Sequence, residues 1–397
     1  MVNVLNLHSL LNGNYMKTNL SLGNCLIFIE QNDYLSNSGE PIQYIGIKKL
    51  NTLTHSVSSY AFNYPADIIS HVSACATLYY SSVFKQESNY FISLNKFNCM
   101  EWNEENVITI SLEINDTDTP LFIKDSVIIG LDDRYCIMAI PNFLPKYGQP
   151  FFGNLLLIDS LEKKKYSITE KVGNLDSLHC MDEAWTCKSN DGSLNLLIKT
   201  GRIRPFEKKR FWDDMEKYGE NAEYFDQFEK LILYKVDNLI NDVKYGATIN
   251  KIILCDCNFK GALSVVSVDN RKIIYSVQLF KQIATEIISY DLETTQTKTV
   301  KDKLLYDYVI YSNKKLFGFK QQGKATHVFN IEDKRNMFIS HEHIIYIDEE
   351  KFITLKRKPH DFKRLIVIYN MSSADMLEAI ECSFFDYNTL NNTLTIY

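Results

Sequence analysis

No window of the chain approaches the ~18 consecutive apolar residues that a membrane-spanning helix needs, so no such span is expected. Basic residues are not in excess either. Lys and Arg number 43 against 49 Asp and Glu, and a net charge of −6 leaves nothing to neutralise a phosphate backbone. The basic run Leu355–Arg364 reads as a solvated turn between strands. The opening residues MVNVLNLHSLLNGNYMK lack the charged lead, apolar run and small-residue cleavage site of a secretory signal. Nine cysteines, an odd number without framework spacing, read as free thiols of a reducing compartment. These absences lead to the expectation of a soluble, cytoplasmic protein that engages neither membrane nor nucleic acid. Catalytic signatures are missing too. There is no G-x-S-x-G, no protease-type cysteine motif and no glycine-rich phosphate loop, GNLLLIDS and GKATHV reading as ordinary strand beginnings.

What is present is aromatic and strand-like. Of 397 residues, 45% are hydrophobic and 23% charged, which suits a globular core. The 24 Tyr and 23 Phe favour half-buried pleated sheets. Length alone allows two domains or one large all-β unit. The pattern favours one unit, because similar segments recur along the whole chain. Each has an apolar run, usually an Asp, Asn or Glu, a polar turn and a second strand-like piece. With the residue before the turn as anchor, they fall at Leu7, Ile114, Ile158, Val236, Tyr290, Asn330 and Tyr369. Each reads as a hairpin.

Tyr290, Asn330 and Tyr369 are about 40 residues apart, the period of a four-stranded propeller blade. Two further strands fit between successive anchors: Leu304–Asn313 with Lys315–Gln321, then His343–Glu349 with Lys351–Arg357. The continuous apolar runs fit sheets covered on both faces. The segments FFDYN and TLTIY at the end read as first and second strands, and the hairpin from Val4 as third and fourth, so the two chain ends would share one blade and leave no open edge. Between Leu7 and Ile114 there is room for two blades if Ser56–Asn63 is a third strand. That gives eight blades, or seven if the region is irregular. The unit YDLETTQTKTV (Tyr290–Val300) resembles the strand, Asp, turn, strand unit of β-propellers in general. The chain has no kelch double glycine, no Asp-box and no Trp-Asp pair at a strand end, so the resemblance implies an all-β propeller and no subfamily.

The spacing from Ile158 to Val236 is far above the period, and removing Gly201–Glu229 restores it. This segment reads as a helical insertion between the second and third strands of one blade. Pro205 suits a first helical position, with Phe211, Met215 and Tyr218 at helical spacing before Gly219. Asn221 caps a second helix striped by Tyr224, Phe225 and Phe228. The loop between strands two and three leaves a blade on the face where, as the resemblance implies, propellers hold ligands. The leading expectation is therefore a non-catalytic scaffold that binds a protein or peptide through Phe211, Trp212, Tyr224 and Phe225. The alternative is a metal-assisted or acid/base hydrolase or lyase with its site at the channel mouth beneath the insertion. A small-molecule or glycan sensor is a third reading.

For an enzyme, residues near the starts of first strands matter most. Asp182 and Glu183 are the hydrolytic candidates. The other acidic clusters, Asp132-Asp133, Asp213-Asp214 and Asp348-Glu349-Glu350, read as turns. No cofactor is expected. A transition metal would draw on His71, His179, Cys255, Cys257, His341 and His343, with Cys75 and Cys180 nearby, since side chains two apart on a strand share a face. The plainer reading of these residues is structural, cysteine above all, which packs as a small hydrophobe.

Overall fold

The computed structural model describes residues 3–6, 16–31, 44–70, 76–87, 89–112, 126–142, 151–168, 178, 181–200, 229–257, 261–279, 282–357, 364–382, 385–388 and 393–396. Seven sheets have four strands each, wound as antiparallel meanders in chain order over 16–66, 68–112, 127–167, 181–256, 261–302, 308–340 and 343–382. They are numbered first to seventh below. This is the all-β, propeller-type blade pattern read from the sequence. A three-stranded sheet joins Phe385–Asn388, Thr393–Ile396 and Asn3–Asn6, so the two chain ends share one sheet. One detail differs. Among the described residues, the N-terminus supplies one strand to this sheet, parallel to Thr393–Ile396. The second half of the expected hairpin instead begins the first sheet at Met16.

The chain forms two compact units, Met16–Phe259 and Lys260–Tyr397 with Met1–Tyr15. The first holds sheets one to four; the second holds sheets five to seven and the terminal sheet.

The sequence period has a local cause in the hairpin that joins third and fourth strands. Asn51 Oδ1 accepts the N–H groups of Leu53 (2.9 Å) and Thr54 (3.1 Å). The same pair of bonds recurs at Asn98, Asp159, Asp291, Asn330 and Asn370, always to the residues two and three further on. In each, the residue four positions after the anchor has positive φ: His55, Trp102, Lys163, Thr295, Lys334 and Ala374. The side chain thus closes a turn whose last position must be left-handed, and the strand after it returns in register. None of the left-handed residues is glycine. Glycine has no Cβ penalty there, so Ala374→Gly (φ 58) is expected to raise stability by about 0.5–1 kcal/mol. A higher urea midpoint at unchanged slope is the check.

Two hairpin assignments are corrected. The run from Ile108 lies in Asn103–Leu112, a fourth strand paired to Asn89–Asn98, and not in a third strand. Ser56–Asn63 falls mainly in Val57–Ala66, the fourth strand of the first sheet and not a third. The fourth sheet departs from the pattern altogether. Where a hairpin from Leu231 was expected, helix α1 (Val236–Tyr245) follows the third strand directly. Val236, Leu239 and Ile240 face inward at helical spacing, and Gly246 stops the helix in the left-handed conformation (φ 65). The expected insertion at 201–229 lies outside the described residues except for Glu229.

Packing follows strand position. Second and third strands carry most of the burial, as in Leu194–Thr200 and Leu231–Tyr234, while fourth strands such as Met376–Cys382 are mostly exposed. Within each unit the cores lie between successive sheets. Ile137, Leu155 and Leu157 of the third sheet meet Leu196, Ile198, Ile232 and Tyr234 of the fourth, with α1 closing the same cluster. Ile366 and Ile380 of the seventh meet Leu394 and Ile396 of the terminal sheet.

Candidate functional site

The strongest concentration of chemistry lies at one end of the fourth sheet, between its first strand (Met181–Lys188) and second (Leu194–Thr200). Met181 pairs with Thr200 and Glu183 with Lys199, so the register skips Asp182. In regular pairing, neighbouring side chains would point to opposite faces. The bulge sets both carboxylates against one cation. Lys199 Nζ donates to Asp182 Oδ2 at 3.1 Å and to Glu183 Oε1 at 2.7 Å.

Exposure differs sharply within this trio. The Lys199 side chain is 11% exposed, whereas those of Asp182 and Glu183 are 51% and 48% exposed. Burial opposes the charge on Lys199, but its hydrogen bonds to Glu183 and Asp182 outweigh that and hold its pKa above the ordinary lysine value. The result is an ammonium that stays protonated at neutral pH behind two solvent-facing carboxylates. Each carboxylate uses one oxygen on Lys199. Sequence reasoning named Asp182 and Glu183 but missed Lys199. The available signal was a lysine between Ile198 and Thr200 in a continuous apolar strand, since a charge buried there demands partners.

The remaining acidic clusters are turn chemistry where they can be seen. Asp132 Oδ1 accepts the N–H groups of Arg134 and Tyr135, and Asp348 Oδ1 those of Glu350 and Lys351. Asp133 accepts from Thr77 Oγ1 and Asp348 Oδ2 from Tyr346 OH. Asp213 and Asp214 lie outside the described residues.

Of the metal candidates, His71 and His179 lie outside the described residues, as do Cys75 and Cys180. His341 is exposed before its strand. His343 lies against the Tyr308 ring (centroids 5.5 Å), and burial lowers its pKa below the ordinary histidine value. Cys255 and Cys257 do come together, with their sulfurs 3.7 Å apart. Among the described residues, no group of three or more His, Cys, Asp or Glu converges on a point where a metal could sit. The expected anchors Phe211, Trp212, Tyr224 and Phe225 lie outside the described residues. No helix among the described residues is long and apolar enough to cross a membrane.

No protein-family model and no curated protein matches the chain. Solved structures of similar fold include one from a study of two prolyl endopeptidases (11% identity, TM-score 0.43, 97% of this chain and 48% of that one). An oligogalacturonate lyase in complex with manganese is similar at 12% identity and TM-score 0.41, covering 84% of this chain and 83% of that one. The β-propeller domain of the Trilobed protease from Pyrococcus furiosus is similar at 7% identity and TM-score 0.41, covering 91% and 96%. The chain spans about half the length of the prolyl endopeptidase and of a Pyrococcus horikoshii acylaminoacyl peptidase. These structures are peptidases and a lyase. The expectation of a non-catalytic binding scaffold is corrected accordingly.

Proposed function

We propose that the chain is an acid/base enzyme of the hydrolase or lyase type, with Asp182, Glu183 and Lys199 at its reacting end. One observation carries this reading: the strand bulge that turns two successive carboxylates onto a single buried ammonium. Bulges re-aim side chains at functional sites, and this one presents base and cation on the same surface. A half-exposed carboxylate can take a proton from a water molecule or from an acidic C–H. Lys199 sits behind it, held charged, and stabilises negative charge that develops on the substrate. Being held protonated, Lys199 is not itself the base.

The test uses peptides and oligogalacturonate, the substrate classes in the names of the similar structures. Turnover of one of them by the wild type is expected, falling about 10²–10⁴-fold in Asp182→Asn or Glu183→Gln. Lys199→Met should lose comparable activity. Full turnover by the Asp182→Asn/Glu183→Gln double variant, or no turnover of either class by the wild type, rejects the proposal. The thermal midpoints of the carboxylate variants show whether they remain folded.

A further inference from the structure

We propose that Cys255 and Cys257 form a redox-active dithiol that closes reversibly into an intramolecular disulfide. The two thiols belong to the last strand of the fourth sheet, Ile252–Asp256, and the residue after it. Neither is bridged, yet their sulfurs lie only 3.7 Å apart. Side chains two apart on a strand share a face but usually diverge too far to bond. Here the register to the third strand skips Leu254, pairing Leu231 with Cys255 and Ile232 with Ile253. Such a bulge bends its strand and re-aims its side chains. Closing the remaining gap to the ~2.05 Å of a disulfide brings the two Cβ atoms to about 3.5–4.5 Å.

The two sulfurs are not equivalent. Cys255 is half-buried, whereas Cys257 is 4% exposed. The hydrogen bond with Cys255, together with burial, holds Cys257 above the ordinary thiol pKa. Cys255 is therefore the attacking group and Cys257 the resolving one. With a low-molecular-weight disulfide such as glutathione disulfide as oxidant, the Cys255 thiolate attacks one sulfur and expels glutathione thiolate, leaving a mixed disulfide. The Cys257 thiolate then attacks the Cys255 sulfur and expels the second glutathione. The dithiol loses two protons and two electrons, and glutathione disulfide is reduced to two thiols.

The position adds consequence. Glu183, Lys199, Leu231 and Cys255 lie in one cross-strand row of the sheet, so closure acts on the row that holds Lys199.

The experiment equilibrates the full chain in glutathione buffers of graded poise, alkylates it with N-ethylmaleimide and maps the peptide containing residues 255–257 by mass spectrometry. The expected product at the oxidising end is a peptide two hydrogens lighter than the dithiol, unalkylated, and returned to the doubly alkylated form by dithiothreitol. Cys257→Ser should stop at the glutathione adduct of Cys255, and Cys255→Ser should form no adduct at position 257. A wild-type peptide that stays doubly alkylated at every poise, or that accumulates the glutathione adduct, overturns the proposal.

Discussion

Replacing Asp159 with alanine is expected to destabilise the protein by about 2–3 kcal/mol, because it removes a buried acceptor of several charge-assisted hydrogen bonds. Its side chain is 0% exposed, yet it carries the charge for several neighbours. Arg134 donates to it twice, Nε to Oδ1 at 2.8 Å and Nη2 to Oδ2 at 2.6 Å. The N–H groups of Leu161 and Glu162 close the hairpin on Oδ1, and Lys244 of α1 approaches Oδ2 at 3.5 Å. One carboxylate thus anchors the turn of the third sheet and the helix of the fourth. Asp159→Asn keeps the turn acceptor but loses the charge and should fall between wild type and Asp159→Ala. Urea titration of the three proteins is the check, read as a falling midpoint at constant slope.

The same residue sets an acid dependence. Burial by itself would raise its pKa, but the hydrogen bonds from Arg134 and from the Glu162 N–H, with the Arg134 charge, carry it well below the usual carboxylate range. A folded-state pKa below the unfolded value of ~3.9 contributes stability that is fully present above that value. This stability is lost as pH falls from there toward the folded pKa. The melting temperature of the wild type should therefore drop on acidification from about pH 4 to pH 2. In Asp159→Asn that slope should be shallower. Equal slopes would show that the pair does not link protonation to folding.

Gly318→Ala is the second large effect. A Cβ at this position would lie 2.5–2.7 Å from three ring atoms of Tyr306. That ring has nowhere to go. Tyr306 is 1% exposed, its OH donates to Asp302 Oδ2 at 2.9 Å, and its N–H donates to Thr285 Oγ1 at 3.1 Å. The ring lies flush on the glycine of the strand Lys315–Gln322, in the core between the fifth and sixth sheets. Overpacking there should cost about 3 kcal/mol. Gly323→Ala is the matched control, since its Cβ would meet nothing within 4 Å and it faces only the penalty of φ +62. A smaller loss at Gly323 than at Gly318 distinguishes crowding from backbone strain; equal losses would refute the crowding argument.

Much of the fold was legible because its repeating unit is local. An Asn or Asp at the end of a third strand binds backbone N–H groups two and three residues away, so Asp291, Asn330 and Asn370 mark their hairpins in the sequence itself. Reading α1 as a hairpin followed from the same rule overextended. Lys235, and not Asp or Asn, precedes the turn there, while Val236, Leu239 and Ile240 already carry helical spacing. Of the candidate site, Asp182 and Glu183 were visible as a charged pair where a first strand begins. Their partner was not, because Lys199 is 16 residues from Glu183 and meets it only through strand pairing.

The sequence by itself determined strand content, the meander, and the turns that set the period, since each depends on groups a few residues apart. Tertiary structure alone decided what depends on register between strands. The parallel pairing of Asn3–Asn6 with Thr393–Ile396, the bulge that gathers Asp182 and Glu183 on Lys199, and the bulge beside the Cys255–Cys257 pair are of this kind. A one-residue change of register turns a side chain to the opposite face. It leaves the apolar pattern of each strand unchanged, so the residues that perform chemistry are chosen by cross-strand packing and not by the strand that carries them.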